Sequence, residues 1–556
     1  MSEIASLRPL AAVLVSAVAI PLIVASHRRP NLREGWTMLA ALAKVAIVAS
    51  MVPGVLAGDV YVTDMGTFVA GVGFVLRADA LGMLFGALAS ALWVITSLYS
   101  VGYMRGLDEH GQTRYFASFA ASLATAIGVA FAANLVTLFI FYELLTVATY
   151  PLVAHDETAE ARAAGRKYLA YTFGGGVAVL TGTVLVFWLT GTTAFTPGGI
   201  VALAEADPAI ARLAFALLAA GFGVKAALMP LHSWLPDAMV APTPVSGLLH
   251  AVAVVKSGVF GIARVALDVF GPETMRELGV GLPLAAVAAF TLLTASVIAL
   301  RKDNLKRRLA YSTVSQLSYI VLGLGVLSGN AIVGGLLHIP AHAFMKLTLF
   351  FCAGAVHVET HTDDISNMAG IGRRMPLTMV AFAVASAGMA GIPLLAGFVS
   401  KWYILIGSVQ SGQAVFAVAL LVSGMLNIAY FWPVVYQAFF ESPGDHDEKP
   451  LVESVLGGRF GPGGSEAVAA DGSGDVRPDG GSGGADPLGH TDHAHHGGPP
   501  PGGWEERGWR GGESTWFMLG PILASASGAV ALGVAPAVFV FLRIVRTVAE
   551  NVGVIG

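Results

Sequence analysis

Runs of about twenty apolar residues recur along the whole chain, and that spacing decides most of what it can become. Twenty residues of helix rise about 30 Å, the thickness of a bilayer's hydrocarbon layer. Inside that layer every backbone N–H and C=O must be satisfied within the protein, and runs of this length do so as helices. Of the 556 residues 55% are hydrophobic and only 12% charged, against about 25% charged in a soluble domain. Between polar breaks there are about fourteen runs, near residues 8–26, 35–56, 78–103, 114–133, 134–154, 168–190, 210–230, 242–266, 280–300, 309–328, 331–356, 377–408, 413–440 and 515–542. The expected fold is all-α, a polytopic bundle of about fourteen transmembrane helices.

The first run has the length of a signal peptide but no clear cleavage site, and it reads as an uncleaved span. Basic residues follow alternate spans: Arg28, Arg29 and Arg33, then Arg105 and Arg114, then Arg162, Arg166 and Lys167, then Arg301 to Arg308, then Arg373 and Arg374. The intervening loops hold few, among them Arg77, Arg212 and Arg276. The positive-inside rule makes the basic side cytoplasmic and puts both termini outside, in a multi-pass plasma-membrane protein. The net charge of −4 carries no basic patch for nucleic acid. Cys352 is the single cysteine, which excludes an internal disulfide and a thiolate-held metal or iron–sulfur cluster. GFGVKA lacks the Gly-Lys-Ser/Thr ending of a phosphate loop, and no dinucleotide fingerprint or nucleophile elbow is present. No cofactor is expected.

Ionisable residues inside apolar helices cost roughly 2.5–3.5 kcal/mol each on insertion scales and mark functional paths. Glu143 lies in the fifth span with no basic residue within a turn or two, and Lys225, at the end of the seventh run, is its natural partner. Close pairing would hold the lysine charged and separation would let it lose its proton, so the pair reads as a switch; the alternative is a static ion pair. The eighth span carries His250 and Lys256, six residues apart and about 9 Å along the axis. His338 and His342 flank Pro340 in the eleventh, with Lys346 one turn on. The HxxxH spacing suits zinc, but the proline break and the missing carboxylate argue against a metal and for a continued proton relay. Lys401 ends the series, either in the path or snorkelling to an interface. His232 and Asp237 fall near a helix break or the membrane surface, where they would guard the way in, and Lys306 is the one member of the Arg301–Arg308 cluster expected to do more than set topology. His357, Glu359, His361, Asp363 and Asp364 read as a solvated loop.

Two spans are interrupted in similar ways. Lys225 precedes Pro230, and GIPLLAGFVSKWY places Gly391, Pro393 and Gly397 before Lys401. Paired interrupted helices point to the transport site of repeat-built transporters. Residues 441–513 have another composition, rich in Gly, Pro and Asp and containing His490, His493, His495 and His496. They are expected to form a disordered cytoplasmic insert.

KAALMPLHSWLPDAMVAPTPVSGLLHAVAVVKSGVF, RRLAYSTVSQLSYI, HIPAHAFMKLTLFFCAGAV and GIPLLAGFVSKWY together resemble the antiporter-like proton-conducting subunits. These occur in Mrp multisubunit cation/proton antiporters, complex I, membrane-bound hydrogenases and a bicarbonate-uptake complex. The wording around SKWY and GIGRRMP is most similar to the Mrp-type D subunit. The resemblance covers about residues 75–440. It implies two inverted five-helix repeats with broken helices: residues 1–110 as N-terminal helices, 111–270 and 278–440 as the repeats, 441–513 as the insert and 514–556 as the last helix and tail. It implies that Glu143, Lys225, His250, Lys256, His338, His342, Lys346 and Lys401 are the working residues, with Tyr142 where tryptophan is common. It implies a proton-translocating subunit of a Na+/H+ antiporter, with other membrane subunits as partners, or alternatively a proton-pumping subunit of a complex I-like redox assembly, a hydrogenase or a bicarbonate-uptake complex. No lateral helix follows the last span in this reading.

Overall fold

The computed structural model describes residues 2–69, 71–442, 497–499, 503–507, 512–538 and 540–555. The helices are α1 (Arg8–Ala25), α2 (Pro30–Leu56, with a turn at Ser50–Met51), α3 (Ala80–Gly106), α4 (Gln112–Phe131), α5 (Leu135–Val153), α6 (Ala159–Thr190) and α7 (Pro208–Lys225). There follow α8 (Thr243–Val269), α9 (Gly281–Leu300), α10 (Leu305–Gly325) and α11 (Gly329–Thr360). The series ends with α12 in two halves (Pro376–Ala390 and Ala396–Gln410), α13 (Ala414–Phe440), α14 (Trp516–Val534) and α15 (Val540–Asn551). Twelve of these are long and apolar enough to cross a membrane. The divided α12 and the polar α10 complete the set of about fourteen that the apolar runs predict.

Asp79, Asn134, Thr158, Asp207, Asn304 and Ser328 each precede a helix and accept a hydrogen bond from its first-turn N–H groups. Such caps satisfy donors the helix cannot and stabilise it by about 1 kcal/mol each. Cap by cap, they set helix starts that hydrophobicity alone does not. Thr158 starts α6 nine residues before the apolar run at 168, so Arg162, Arg166 and Lys167 stand on the helix and not in a loop.

Three features depart from the sequence reading. A three-stranded sheet joins β1 (Ser2–Ala5), β2 (Asp59–Val69) and β3 (Val72–Ala78), with β1 parallel and β3 antiparallel to β2. The sheet brings the chain before α1 and the chain after α2 to one face, as two successive crossings require. Next, α14 ends at Val534, and the amphipathic α15 follows, burying Phe541, Leu542, Ile544, Val545 and Val548. The run expected at 515–542 therefore comprises a span and the start of a second helix. Finally, the end of the supposed insert is docked. Trp504 donates to the Ala369 carbonyl at 2.6 Å, and the Glu513 carboxylate accepts from Leu377 N at 2.9 Å and Thr378 N at 2.6 Å, capping α12. His490, His493, His495 and His496 lie outside the described residues.

The bundle has a clear inside. α8 is buried along its whole length and α11 almost so, whereas only a third of α1 and α2 is covered. An outer helix can face lipid with half its side chains. A helix enclosed on all sides cannot hold a charge unless protein supplies a partner. α6 and α7 approach closely because Gly175 and Gly221 face each other: a Cβ on Gly221 would sit 2.6 Å from the Gly175 carbonyl.

Candidate functional site

The enclosed helices α8 and α11 carry five of the eight predicted site residues. α8 is not a plain α-helix: it widens to π-helical turns at Leu248–Val252 and Val265–Val269, a feature frequent at functional sites. The first widening carries His250, and Lys256 follows in the α-helical middle. The Lys256 ammonium lies 2.7 Å from His342 Nδ1 on α11, which joins the two central helices by a direct polar contact. With Lys256 donating to Nδ1, the neutral His342 ring carries its proton on Nε2, which has no partner of its own. The His338 and His342 rings lie 6.1 Å apart, with no direct hydrogen bond between them.

From His338 the contacts continue to Lys401. His338 Nε2 donates to Gln316 Oε1 at 3.0 Å, and Nδ1 lies 2.8 Å from the Ser400 hydroxyl. Gln316 Nε2 reaches the Met389 carbonyl at 3.5 Å, and Lys401 donates to that same carbonyl at 2.5 Å. Met389 O is free to accept because α12 breaks at Gly391–Leu395, leaving the last carbonyls of its first half without intrahelical partners. Lys401 also sits 4.7 Å above the Tyr319 ring. The lysine therefore points inward, which removes the interface-snorkelling alternative. Lys346 bonds the Leu309 carbonyl at 3.1 Å and the Ser312 hydroxyl, both on α10.

On the other side of α8 the expected pairing is not made. Lys225, fully buried at the end of α7, donates to the Tyr142 carbonyl and lies 3.4 Å from the Tyr142 ring centroid. No contact within 4.0 Å joins it to the Glu143 carboxylate, whose Oε1 is buried without a partner. The backbone outcompetes the side chain because Lys225 meets α5 one residue short of Glu143. The carboxylate lies in a notch against Gly176 of α6, where a Cβ would stand 2.1 Å from Oε1. His250 is buried with neither ring nitrogen bonded, against the Phe350 ring at 4.7 Å.

Several polar groups here carry no charge and were not singled out from the sequence. Gln316, Ser400 and Ser312 bond the site residues directly. Beyond Tyr319, its hydroxyl donates to Ser423 at 2.7 Å, and Ser423 lies 3.0 Å from Ser296 and 3.3 Å from Ser315. Buried ion clusters were also missed: Arg264 bonds Asp79 and Asp268, each at 2.7 Å, and Lys44 donates to the Leu123 carbonyl at 2.9 Å.

On the face that bears the basic loops, Glu109, Asp156, Lys306, His357 and Asp363 line a cavity of about 530 Å³. Burial pushes the Glu109 and Asp156 carboxyls above their usual range. His232 is half-buried, and Asp237 pairs with Lys167 at 2.5 Å on this face. The residues read as a solvated loop are partly ordered instead: α11 runs on to Thr360, Glu359 faces Arg374 at 3.8 Å and His357 lies 3.0 Å from Asp363.

Residues 132–427 match the family described as NADH:quinone oxidoreductase/Mrp antiporter, TM. Over 450 residues the chain is 33% identical to an NADH-quinone oxidoreductase subunit N from Desulforudis audaxviator, covering 78% of this chain and 88% of that one. Over 425 residues it is 34% identical to a probable K(+)/H(+) antiporter A/B subunit of Rhizobium meliloti, covering 74% of this chain but only 41% of that one. Six further relatives are likewise longer, the chain spanning about half to two thirds of their length. In fold it is similar to a chain of the Mrp complex from Dietzia, with a TM-score of 0.77 over 98% of both chains at 23% identity. A chain of the archaeal membrane-bound sulfane sulfur reductase aligns equally well, at 21% identity.

Proposed function

Because the chain belongs to the NADH:quinone oxidoreductase/Mrp antiporter transmembrane family, we propose that it is the proton-conducting subunit of a Mrp-type Na+/H+ antiporter assembled with other membrane subunits. The observation that carries this reading is the polar line through the enclosed centre of the bundle, in which Lys256 contacts His342 and, across a 6.1 Å gap between the rings, His338 leads through Gln316 and the Met389 carbonyl to Lys401. Glu143, Lys225 and His250 extend it toward α5, and Lys346 joins it at α10. The matching breaks at the ends of α7 and within α12, each beside a lysine, support two repeats over 111–270 and 278–440.

The residues move protons as follows. His338 in its neutral form donates an Nε2–H hydrogen bond to Gln316 Oε1 and accepts one at Nδ1 from the Ser400 hydroxyl. The Ser400 hydroxyl has two other acceptors, the Gly397 carbonyl at 3.2 Å and the Ala396 carbonyl at 3.4 Å. When it turns to them, Nδ1 is open to a proton from the His342–Lys256 side. The resulting imidazolium then faces Lys401 across Gln316, and repulsion between like charges drives a proton off one of them. A partner subunit or a neighbouring path moves the cation. The basic face is cytoplasmic, both termini are outside, and the membrane is the plasma membrane.

The test is Glu143→Ala and Lys225→Ala in everted vesicles carrying the complete assembly. Both variants are expected to assemble and to lose antiport; full activity in both would refute the reading. The coverage of 88% of a subunit N favours a second reading, a proton-pumping subunit of a redox complex. Co-purification with flavin or iron–sulfur subunits would establish that reading in place of the first.

A further inference from the structure

Two loops on the basic face hold groups that the proton line does not use. His155, just beyond α5, is fully buried, yet neither ring nitrogen makes a well-formed hydrogen bond, the backbone of His110 offering only a poorly formed one. An unsatisfied buried polar group of this kind is costly and calls for an explanation. His110, between α3 and α4, lies with its ring 4.9 Å from that of His155. Glu109 beside it is mostly buried, at 21% side-chain exposure, while the His110 side chain is 53% exposed. One donor atom from each of Glu109, His110 and His155 lies within 4.8 Å of the other two. Asp156 adds a second orphan, a buried Oδ1 without a partner. Burial, together with His110 and Arg114 nearby, lowers His155 to about 4, so at neutral pH its ring is uncharged with a lone pair free.

We propose that Glu109, His110 and His155 bind a divalent transition-metal ion of the zinc class, with water completing the shell. Two imidazoles with carboxylate oxygen suit zinc and its neighbours better than magnesium or calcium, which prefer all-oxygen shells. Tetrahedral bonds of about 2.0–2.1 Å place donor atoms roughly 3.3 Å apart, so the site closes by up to about 1.5 Å on binding. The exposed His110 at the loop tip supplies that movement. Arg114, the nearby cation, is engaged elsewhere, by the Glu157 carboxylate and by the His155 carbonyl at 2.9 Å. A bound ion ties the α3–α4 loop to the α5–α6 loop at the rim of the cavity that Glu109 and Asp156 line. The proposal does not depend on which assembly the chain belongs to.

The probe is Co2+, displaced by Zn2+, on the full chain purified in its membrane assembly. The histidine tract would compete, so the background carries His490→Ser, His493→Ser, His495→Ser and His496→Ser. The expected result is one Co2+ per chain with intense tetrahedral visible absorption, weakened at least tenfold by His110→Asn and by His155→Asn. His110 is exposed, so its variant reports binding without a folding defect. Absence of Co2+ binding in this background would overturn the proposal, as would affinity unchanged in His110→Asn or weak octahedral absorption from an all-oxygen shell.

Discussion

Gln316 offers the sharpest test of the proton line, because it is a neutral residue whose importance rests on geometry alone. It accepts from His338 Nε2 at 3.0 Å and reaches the Met389 carbonyl at 3.5 Å. The first contact is a sound hydrogen bond and the second is at the limit of one. Gln316→Leu keeps the volume, removes both, and leaves a buried imidazole N–H without an acceptor. That loss is worth about 1–3 kcal/mol. If the proton passes through His338, the same energy is added to the barrier. At 1.36 kcal/mol per factor of ten, flux falls about 5- to 150-fold. Gln316→Glu keeps an oxygen acceptor facing His338 and returns most of the flux. Asn330→Ala, which removes an exposed hydrogen bond to Gln410, changes nothing. The assay is proton flux in everted vesicles, with assembly checked by co-purification of the other subunits. Wild-type flux in an assembled Gln316→Leu complex would show that His338 does not depend on this amide and that the path runs elsewhere.

Three further outcomes follow from the geometry. Gly176→Ala puts a methyl 2.1 Å from Glu143 Oε1 and expels the carboxylate, so flux drops toward that of Glu143→Ala, whereas Gly174→Ala, with no atom within 4 Å of its Cβ, is silent; equal flux in the two would count against the notch. Arg264→Met strands the Asp79 and Asp268 carboxylates and costs about 3–5 kcal/mol, read as a lower thermal midpoint; an unchanged midpoint would show that the cluster is not a strut. His155 is held neutral in the folded protein, lowered to about 4 from the ordinary imidazole value of 6.5, so its contribution is whole above pH 6.5 and is lost as pH falls toward 4. In the metal-free protein, amide exchange at 154–157 should speed up over that window, and His155→Gln should abolish the change.

What the sequence discloses and what it conceals divide along physical lines. Span length is a property of consecutive residues, so most of the helix series was legible to within a few positions, the start of α6 and the end of α14 being the exceptions. The sheet was not: β2 and β3 fall between apolar runs, and their pairing with Ser2–Ala5 joins segments more than fifty residues apart. Charged residues in oil announce themselves, so eight candidate residues stand out in the sequence, and the structure gathers Lys256, His338, His342 and Lys401 along one line. Their actual partners were hidden because most are backbone carbonyls, at Tyr142, Leu309 and Met389, exposed only by where a helix breaks or a neighbour crosses. Glu143 and Lys225 are electrostatic neighbours but make no contact within 4.0 Å, because the lysine takes the Tyr142 peptide oxygen one residue away, which ion-pair reasoning leaves out. One signal for the missing partners was nevertheless present. Residues 311–319 read YSTVSQLSY, too polar for a lipid-facing span, and that polarity keeps α10 out of the set apolar enough to cross by itself. A helix of membrane length with so many hydroxyls and an amide must face protein on every side. In a bundle whose centre carries histidines and lysines, it must be the helix that hydrogen-bonds them. The structure identifies Ser312 and Gln316 as the members of that stretch that bond Lys346 and His338.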